Sequence, residues 1–150
     1  MLPGSVWTET AVAALKKMHL APTLLTGDGA EHAAHIADTL QIDDVAAGVT
    51  PEDKHALIEA RAAKGERLAM VGDGLNDTAA LAAAHASIAP SSAMDASRNA
   101  ADIVLLRDSL GDVPRLFEIA RAATRLSQQN FAIATAYNLV AVPIALLGYA

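Results

Sequence analysis

The sequence contains no cysteine and very few aromatic residues. With cysteine absent from all 150 residues, a disulfide framework, a thiolate metal site and a nucleophilic thiol are excluded. Aromatic residues make up 3% of the chain, whereas hydrophobic residues as a class make up 53%. A chain of this length can bury a substantial core, and we expect that core to consist of alanine and aliphatic side chains.

Positive charge is also scarce. Lysine and arginine number 11 against 17 acidic residues, which gives a formal net charge of −6. Proteins that bind nucleic acid present a basic face to the phosphate backbone, and no basic cluster with interleaved aromatic residues occurs here. We therefore expect no nucleic-acid partner.

The last part of the chain has no charge at all. Residues 131–150 form an uncharged, largely apolar run, and about 20 such residues are enough for a helix to cross a bilayer. Pro143 and Gly148 within it are better tolerated in membrane helices than in soluble ones. The run predicts a membrane helix, with a buried core helix of a soluble domain as the alternative.

Short apolar segments alternate with helical patterns along the rest of the chain. We expect strands near 23–25, 45–47, 68–71, 86–89 and 102–106, and helices over 11–18, 30–40, 51–61, 78–84 and 94–100, with a long helix from 109 onward. Thr8 or Thr10 is the expected cap of the first helix. This alternation predicts an α/β fold with an open, parallel, Rossmann-like sheet.

The segment Met70–Asp77 is the most informative part of the sequence. A predicted strand ends there in Gly72-Asp73-Gly74, and a helix follows Asp77 directly. Open α/β sheets bind ligands at such strand ends, and two carboxylates suit Mg²⁺, which keeps waters or phosphate oxygens as its other ligands. The alternative is that these residues only form a turn and a helix cap.

Two further segments indicate anion binding. Thr26-Gly27-Asp28 follows the 23–25 strand and offers a hydroxyl and backbone N–H groups to an anionic oxygen, although such a triplet can also be a simple turn. Thr50-Pro51-Glu52-Asp53 reads as a helix start. Lys54 in its first turn opposes the helix dipole, which is explained if its ammonium faces a bound anion; the alternative is an exposed lysine without a role.

The order and spacing of these three segments resemble the last three motifs in the phosphorylation domain of P-type cation-transporting ATPases, members of the haloacid dehalogenase superfamily. Gln129-Asn130-Phe131 and the pair Tyr137-Asn138 resemble the heavy-metal subclass, and copper pumps in particular. The resemblance covers nearly the whole chain. It implies a haloacid dehalogenase-like sheet followed by a C-terminal hydrophobic helix.

The resemblance also implies a role for individual residues. The expected phosphate-binding and catalytic set is Thr26, Gly27, Asp28 and Lys54; the cofactor-binding turn is Gly72, Gly74 and Asn76; the Mg²⁺ ligands are Asp73 and Asp77; and the transported ion is contacted by Tyr137 and Asn138. The last two residues have an ordinary alternative, a tyrosine near the membrane interface and a helix-packing asparagine. Mg²⁺ is the implied cofactor, and ATP is the substrate of the intact pump.

One departure from the family pattern affects every functional expectation. The chain has no Asp-Lys-Thr-Gly-Thr motif, which in the family carries the aspartate nucleophile on a strand between those ending at Gly27 and Gly72. We therefore expect a sheet that lacks its central strand. Three outcomes are open: the flanking strands pair directly, the missing strand comes from another chain, or the folded chain is poorly stable.

The chain is accordingly interpreted as a carboxyl-terminal fragment of a heavy-metal pump, with a copper exporter favoured, and as inactive by itself. Residues 1–126 are the expected partial phosphorylation domain at the cytoplasmic face, and residues 127–150 are the expected start of a membrane helix. Its partners are then the metal ion, with Cu⁺ favoured, the membrane and the N-terminal part of the same pump. Two alternatives are a soluble phosphatase of the same superfamily and a non-catalytic module that binds Mg²⁺ or phosphate.

Overall fold

A computed structural model describes residues 6–73, 75–107 and 109–148, apart from the side chains of residues 6, 7 and 75. The chain divides into two compact units, Met1–Asp112 and Val113–Ala150. The first contains all the strands that the structure describes, and the second consists mainly of one helix. The expected domain boundary between residues 126 and 127 stays a prediction.

Strands and helices alternate along the first unit, which confirms the predicted α/β class. In chain order the elements are α1 (Val6–Lys17), β1 (Thr23–Leu25), α2 (Ala30–Leu40), β2 (Asp44–Ala46), α3 (Pro51–Ala63), β3 (Ala69–Val71), a 3₁₀ turn (Leu75–Asp77), α4 (Thr78–Ala83), β4 (Ala86–Ala89), α5 (Asp95–Ala100) and β5 (Ile103–Val104). The cap expected for the first helix is wrong, because α1 already begins at Val6 and contains both Thr8 and Thr10.

The strands form two separate parallel sheets. β1 pairs with β2, with Thr23 opposite Asp44, whereas β3, β4 and β5 form a second sheet in that order. Within the described part of the chain β1 and β3 do not pair, so of the three outcomes expected for the central gap direct pairing is wrong. Val71 on β3 is 41% exposed, as expected for a strand that has a neighbour on one side only.

The core of the second sheet lies beneath α3 and α4. Ile58 from α3 packs with Met70 of β3 and with Ala80 and Leu81 of α4. These side chains are aliphatic, as the composition predicts, and their removal from water is the main stabilising contribution to this half. α3 is thereby fixed to the β3 side of the gap.

A polar contact joins β4 to the residue that precedes β5. The carboxylate of Asp102 accepts hydrogen bonds from the N–H and hydroxyl of Ser87 at 2.9 and 2.8 Å, and the Asp102 N–H donates to the same hydroxyl at 3.0 Å. These bonds lower the pKa of Asp102, the hydroxyl contributing most. Ser87 can therefore be buried in the strand with its polar atoms satisfied.

The second unit contains α6 (Asp112–Leu146), a helix of 35 residues. Among the described helices it is the one long and apolar enough to cross a membrane, and its apolar window is not buried within the structure. Phe131 and Leu139 are each 75% exposed. The expected C-terminal apolar helix is confirmed, and its exposure disfavours the alternative of a buried core helix.

Leu81→Ala tests the assignment of the core. Leu81 is 1% exposed, so its truncation leaves a cavity and should lower the free energy of unfolding by about 2–5 kcal/mol. Leu106 is 94% exposed, and the matched variant Leu106→Ala should change it by less than about 0.5 kcal/mol. The measurement is urea unfolding of both variants in detergent micelles; equal effects would contradict the assignment.

Candidate functional site

The loops after β1 and β2 are held together by backbone hydrogen bonds. Thr26 donates its N–H to the carbonyl of Ala46 at 3.0 Å and accepts from the N–H of Val49 at 3.1 Å. Gly48 donates to the carbonyl of Asp28 at 2.8 Å, and it adopts a φ of +65°, where a glycine is favoured. These hydrogen bonds hold the loops at the carboxyl ends of β1 and β2 next to each other, at one edge of the sheet.

Thr26, Gly27 and Asp28 form a compact turn on this edge. The Thr26 hydroxyl accepts a hydrogen bond from the Asp28 N–H at 3.1 Å, and Asp28 is exposed, with its carboxylate 3.8 Å from the imidazole of His32. Among the described hydrogen bonds none uses the Gly27 N–H, so that donor is available to an anion. The turn therefore offers the Thr26 hydroxyl and the Gly27 N–H to an anionic oxygen, whereas the Asp28 N–H is already bonded to Thr26.

The start of α3 is fixed by a reciprocal cap. The Thr50 hydroxyl accepts from the Asp53 N–H at 3.1 Å, and the Asp53 carboxylate accepts from the Thr50 N–H at 3.0 Å and from its hydroxyl at 2.8 Å. The backbone N–H of Thr50, followed by its hydroxyl, lowers the pKa of Asp53. Together with Pro51 in the first helical turn, this cap fixes the position from which Lys54 extends.

Lys54 forms an ion pair with Asp77. Its ammonium donates to the Asp77 carboxylate at 2.7 Å, and the two side chains are only 14% and 13% exposed. Such a short, largely buried contact is a charge-assisted hydrogen bond. The alternative of an exposed lysine is therefore wrong: Lys54 connects α3 to the 3₁₀ turn that follows β3.

Gly72 makes room for Asp77. A Cβ atom on Gly72 would lie 3.0 Å from the Cβ of Asp77 and 3.2 Å from its Oδ2, so Asp77 would have to shift by a few tenths of an ångström to admit it. The close approach expected of a glycine in this turn is thus present at Gly72. Gly74, which the sequence places in the same turn, lies outside the described residues.

Asp73 and Asn76 are exposed on the same loop. The Asp73 carbonyl accepts a hydrogen bond from the N–H of Met94 at 3.3 Å, which anchors the loop to the start of α5. Within the described ranges no group of three or more histidine, aspartate or glutamate side chains could hold a metal. Two carboxylates are sufficient for Mg²⁺ that retains water or phosphate ligands, so the donor set is compatible with that ion.

The structure brings together part of the predicted site. Lys54, Gly72 and Asp77 are in contact, with Asp73 and Asn76 on the loop beside them. The Thr26–Asp28 turn belongs to the other sheet, and no hydrogen bond among the described residues joins it to Lys54 or Asp77. Tyr137 and Asn138 lie on α6 in the second unit, where both are exposed.

One polar cluster was not predicted from the sequence. Arg61 of α3 donates to the Thr23 hydroxyl at 3.1 Å and to the Asp44 carboxylate at 2.6 Å, and Thr23 also donates to Asp44 at 2.8 Å. The spacing of Arg61 and Lys54 is the signal that could have identified it, because residues seven apart lie on the same face of a helix.

Comparison with known proteins shows where the chain belongs. The model of the family described as haloacid dehalogenase-like hydrolase matches residues 8–85. The chain is 43% identical to the nitrogen fixation protein FixI of Rhizobium meliloti over 95% of this chain and 19% of that protein. It is 44% identical to the copper-exporting P-type ATPase of Mycobacterium tuberculosis over 92% of this chain and 18% of that protein.

Solved structures give the same result. A zinc-transporting PIB-type ATPase in the E2.Pi state matches with a TM-score of 0.91 and 34% identity, over 97% of this chain and 24% of that one. The chain spans about a fifth of the length of the curated relatives described above. The chain belongs to the haloacid dehalogenase-like hydrolases and is homologous to the phosphorylation domain of heavy-metal P-type ATPases.

Proposed function

We propose that this chain supplies the Mg²⁺-binding and phosphate-binding half of the phosphorylation site of an ATP-driven heavy-metal pump. The observation that carries the proposal is the largely buried ion pair between Lys54 and Asp77 at the carboxyl end of β3. It places an ammonium and a carboxylate where an open α/β sheet binds its ligand, and the space left by Gly72 allows the carboxylate to approach the strand.

Each residue of the site has a distinct task in this proposal. Asp73 and Asp77 hold Mg²⁺, with Asn76 and the glycine turn shaping the same corner. Lys54 offsets negative charge on the phosphoryl group, while the Thr26 hydroxyl and the Gly27 N–H bind its oxygens and Asp28 closes the turn. Mg²⁺ supplies charge neutralisation when bound. The residues therefore act by positioning and electrostatic stabilisation, which dominate the catalysis of phosphoryl transfer.

The nucleophile must come from a segment that this sequence does not contain. No Asp-Lys-Thr-Gly-Thr motif is present, and β1 and β3 each have an unpaired edge within the described sheets. A strand that pairs with both edges would carry its aspartate to the carboxyl ends, between Thr26 and Asp73. We assign that strand to the N-terminal part of a longer pump, with ATP as the phosphoryl donor.

α6 and the relatives support a cargo and a membrane location. We assign the exposed apolar part of α6 to the bilayer, with Tyr137 and Asn138 contacting the transported ion. Arg115, Arg121 and Arg125 precede the uncharged run, and arginine at that end of a membrane helix supports a cytoplasmic location for the first unit. Cu⁺ is the favoured ion, since the copper-exporting relative is 44% identical and the zinc-transporting structure is 34% identical.

Asp73→Asn tests the metal site. Loss of one of two carboxylate ligands should weaken Mg²⁺ binding by about tenfold or more, because the remaining carboxylate is already paired with Lys54. Asp38 is exposed on α2. Asp38→Asn is the control, because it also removes one negative charge but at a position outside the site. Isothermal titration of the detergent-solubilised chain with Mg²⁺ measures both variants; equal affinities would refute the assignment.

Gly72→Ala tests how the carboxylate is placed. The added methyl would force Asp77 to shift by a few tenths of an ångström, and we expect about tenfold weaker Mg²⁺ binding. At Gly29 a Cβ would meet no atom within 4 Å, so Gly29→Ala is a matched control and should retain the affinity of the unaltered chain. If Gly72→Ala binds Mg²⁺ as tightly as Gly29→Ala does, Asp77 is not a ligand.

An activity assay separates the proposal from its two rivals. The chain alone should hydrolyse p-nitrophenyl phosphate no faster than background, with or without Mg²⁺. A form extended upstream in its gene to include an Asp-Lys-Thr-Gly-Thr motif should form an acyl phosphate from inorganic phosphate and Mg²⁺. Turnover by the chain alone would favour a soluble phosphatase, and an extended form that is never phosphorylated would favour a non-catalytic binding module.

A further inference from the structure

α3 contacts both halves of the divided sheet. Lys54, Ile58 and Arg61 follow one another at intervals of four and three residues, so they lie on the same helical face. Lys54 binds Asp77 and Ile58 packs in the core beside β3, both on the side of the second sheet. Arg61 reaches the first sheet instead, at Thr23 and Asp44.

The Arg61 contact lies at the opposite end of the strands from the candidate site. Thr23 and Asp44 are the first residues of β1 and β2 and are partners in the parallel register. Thr26 follows the last residue of β1, about 10 Å further along. Lys54 is about 10 Å from Arg61 along α3. The length of β1 from Thr23 to Thr26 therefore matches the length of α3 from Arg61 to Lys54. The Arg61 contact lies at one end of both lengths, and the phosphate-binding groups lie at the other.

We propose that Arg61 is a positioning residue that sets the distance between Lys54 on α3 and the phosphate-binding turn at Thr26, by clamping α3 to the first residues of β1 and β2. The proposal rests on the function proposed above, since it assumes that both groups bind the same phosphate. The reason is that Lys54 lies on α3, which packs against the second sheet, whereas Thr26 follows β1 of the first sheet. The two sheets share no strand pairing in the described chain.

The chemistry of the contact suits positioning better than bulk stability. The guanidinium donates to two acceptors on two strands, and its planar geometry fixes both directions at once. The side chains of Arg61 and Asp44 are 30% and 51% exposed, and ion pairs at that exposure contribute little to stability. Hydrogen bonds lower the pKa of Asp44, the one from Arg61 contributing most and the one from Thr23 next. The carboxylate is therefore charged at neutral pH.

Arg61→Ala in the full 150-residue chain tests the proposal, with inorganic phosphate and Mg²⁺ as separate probes. We expect phosphate, in the presence of saturating Mg²⁺, to bind about fivefold more weakly, because Lys54 and Thr26 are no longer held at one distance. Mg²⁺ alone should bind within about twofold of the unaltered chain, since Asp73 and Asp77 lie on one side of the gap. The amide signal of Gly27 in NMR titrations reports the phosphate affinity.

Three further variants make the result specific. Arg67 is exposed and makes no described ion pair, so Arg67→Ala also removes one positive charge and should leave the affinities for Mg²⁺ and phosphate unchanged.

Arg61→Lys keeps the positive charge but lacks the planar guanidinium, so it should give intermediate phosphate binding even if Arg61→Ala fails to fold. Because Arg61 is proposed to act through Lys54, Arg61→Ala should weaken phosphate binding no further in a Lys54→Ala background.

The outcomes that overturn the proposal are distinguishable from failure of the proposed function. If Lys54→Ala weakens phosphate binding but Arg61→Ala and Arg61→Lys do not, the positioning role is wrong and the phosphate site stands. If Arg61→Ala weakens Mg²⁺ and phosphate binding equally, its role is general stability. If the unaltered chain binds no phosphate, or Lys54→Ala binds it equally well, the proposed function fails and the positioning role fails with it.

Discussion

The ion pair between Lys54 and Asp77 is the contact on which the candidate site depends. A lysine in the first turn of a helix opposes the helix dipole, and burial of its ammonium is costly without a partner. Asp77 provides that partner at 2.7 Å, and Gly72 leaves it space that a Cβ atom would narrow to 3.0 Å. The sequence motifs around residues 50–54 and 70–77 are thus two parts of one electrostatic arrangement.

This arrangement occurs in a fold whose sheet is divided. β1 and β2 form one parallel pair and β3, β4 and β5 another, so the phosphate-binding turn and the Lys54–Asp77 pair are carried by different sheets. α3 belongs to the second by its core contacts and reaches the first through Arg61. The geometry of a phosphate site made from both halves therefore depends on a helix and on the strand that we assign to a longer pump.

Local sequence patterns were sufficient for most of the fold. Apolar runs that end in glycine turns predicted β1 and β3, and the capping box placed the start of α3, because these features depend on neighbouring residues. The partners of Lys54 and Arg61 could not be predicted in this way: Asp77 and Asp44 are brought to them by packing between elements far apart in the chain. The role assigned to every site residue stays a prediction, that of Gly74 outside the described residues included; the others are Thr26, Gly27, Asp28, Lys54, Gly72, Asp73, Asn76, Asp77, Tyr137 and Asn138.

We infer that Thr26, Lys54 and Asp73 face one magnesium–phosphate pair although they come from three separate segments. Paramagnetic relaxation in NMR with Mn²⁺ in place of Mg²⁺ and with inorganic phosphate present measures this directly. A shared site predicts strong broadening of the amide signals of Gly27, Lys54 and Asp73 and little effect on α1. Broadening near Asp73 with none at Gly27 would contradict it.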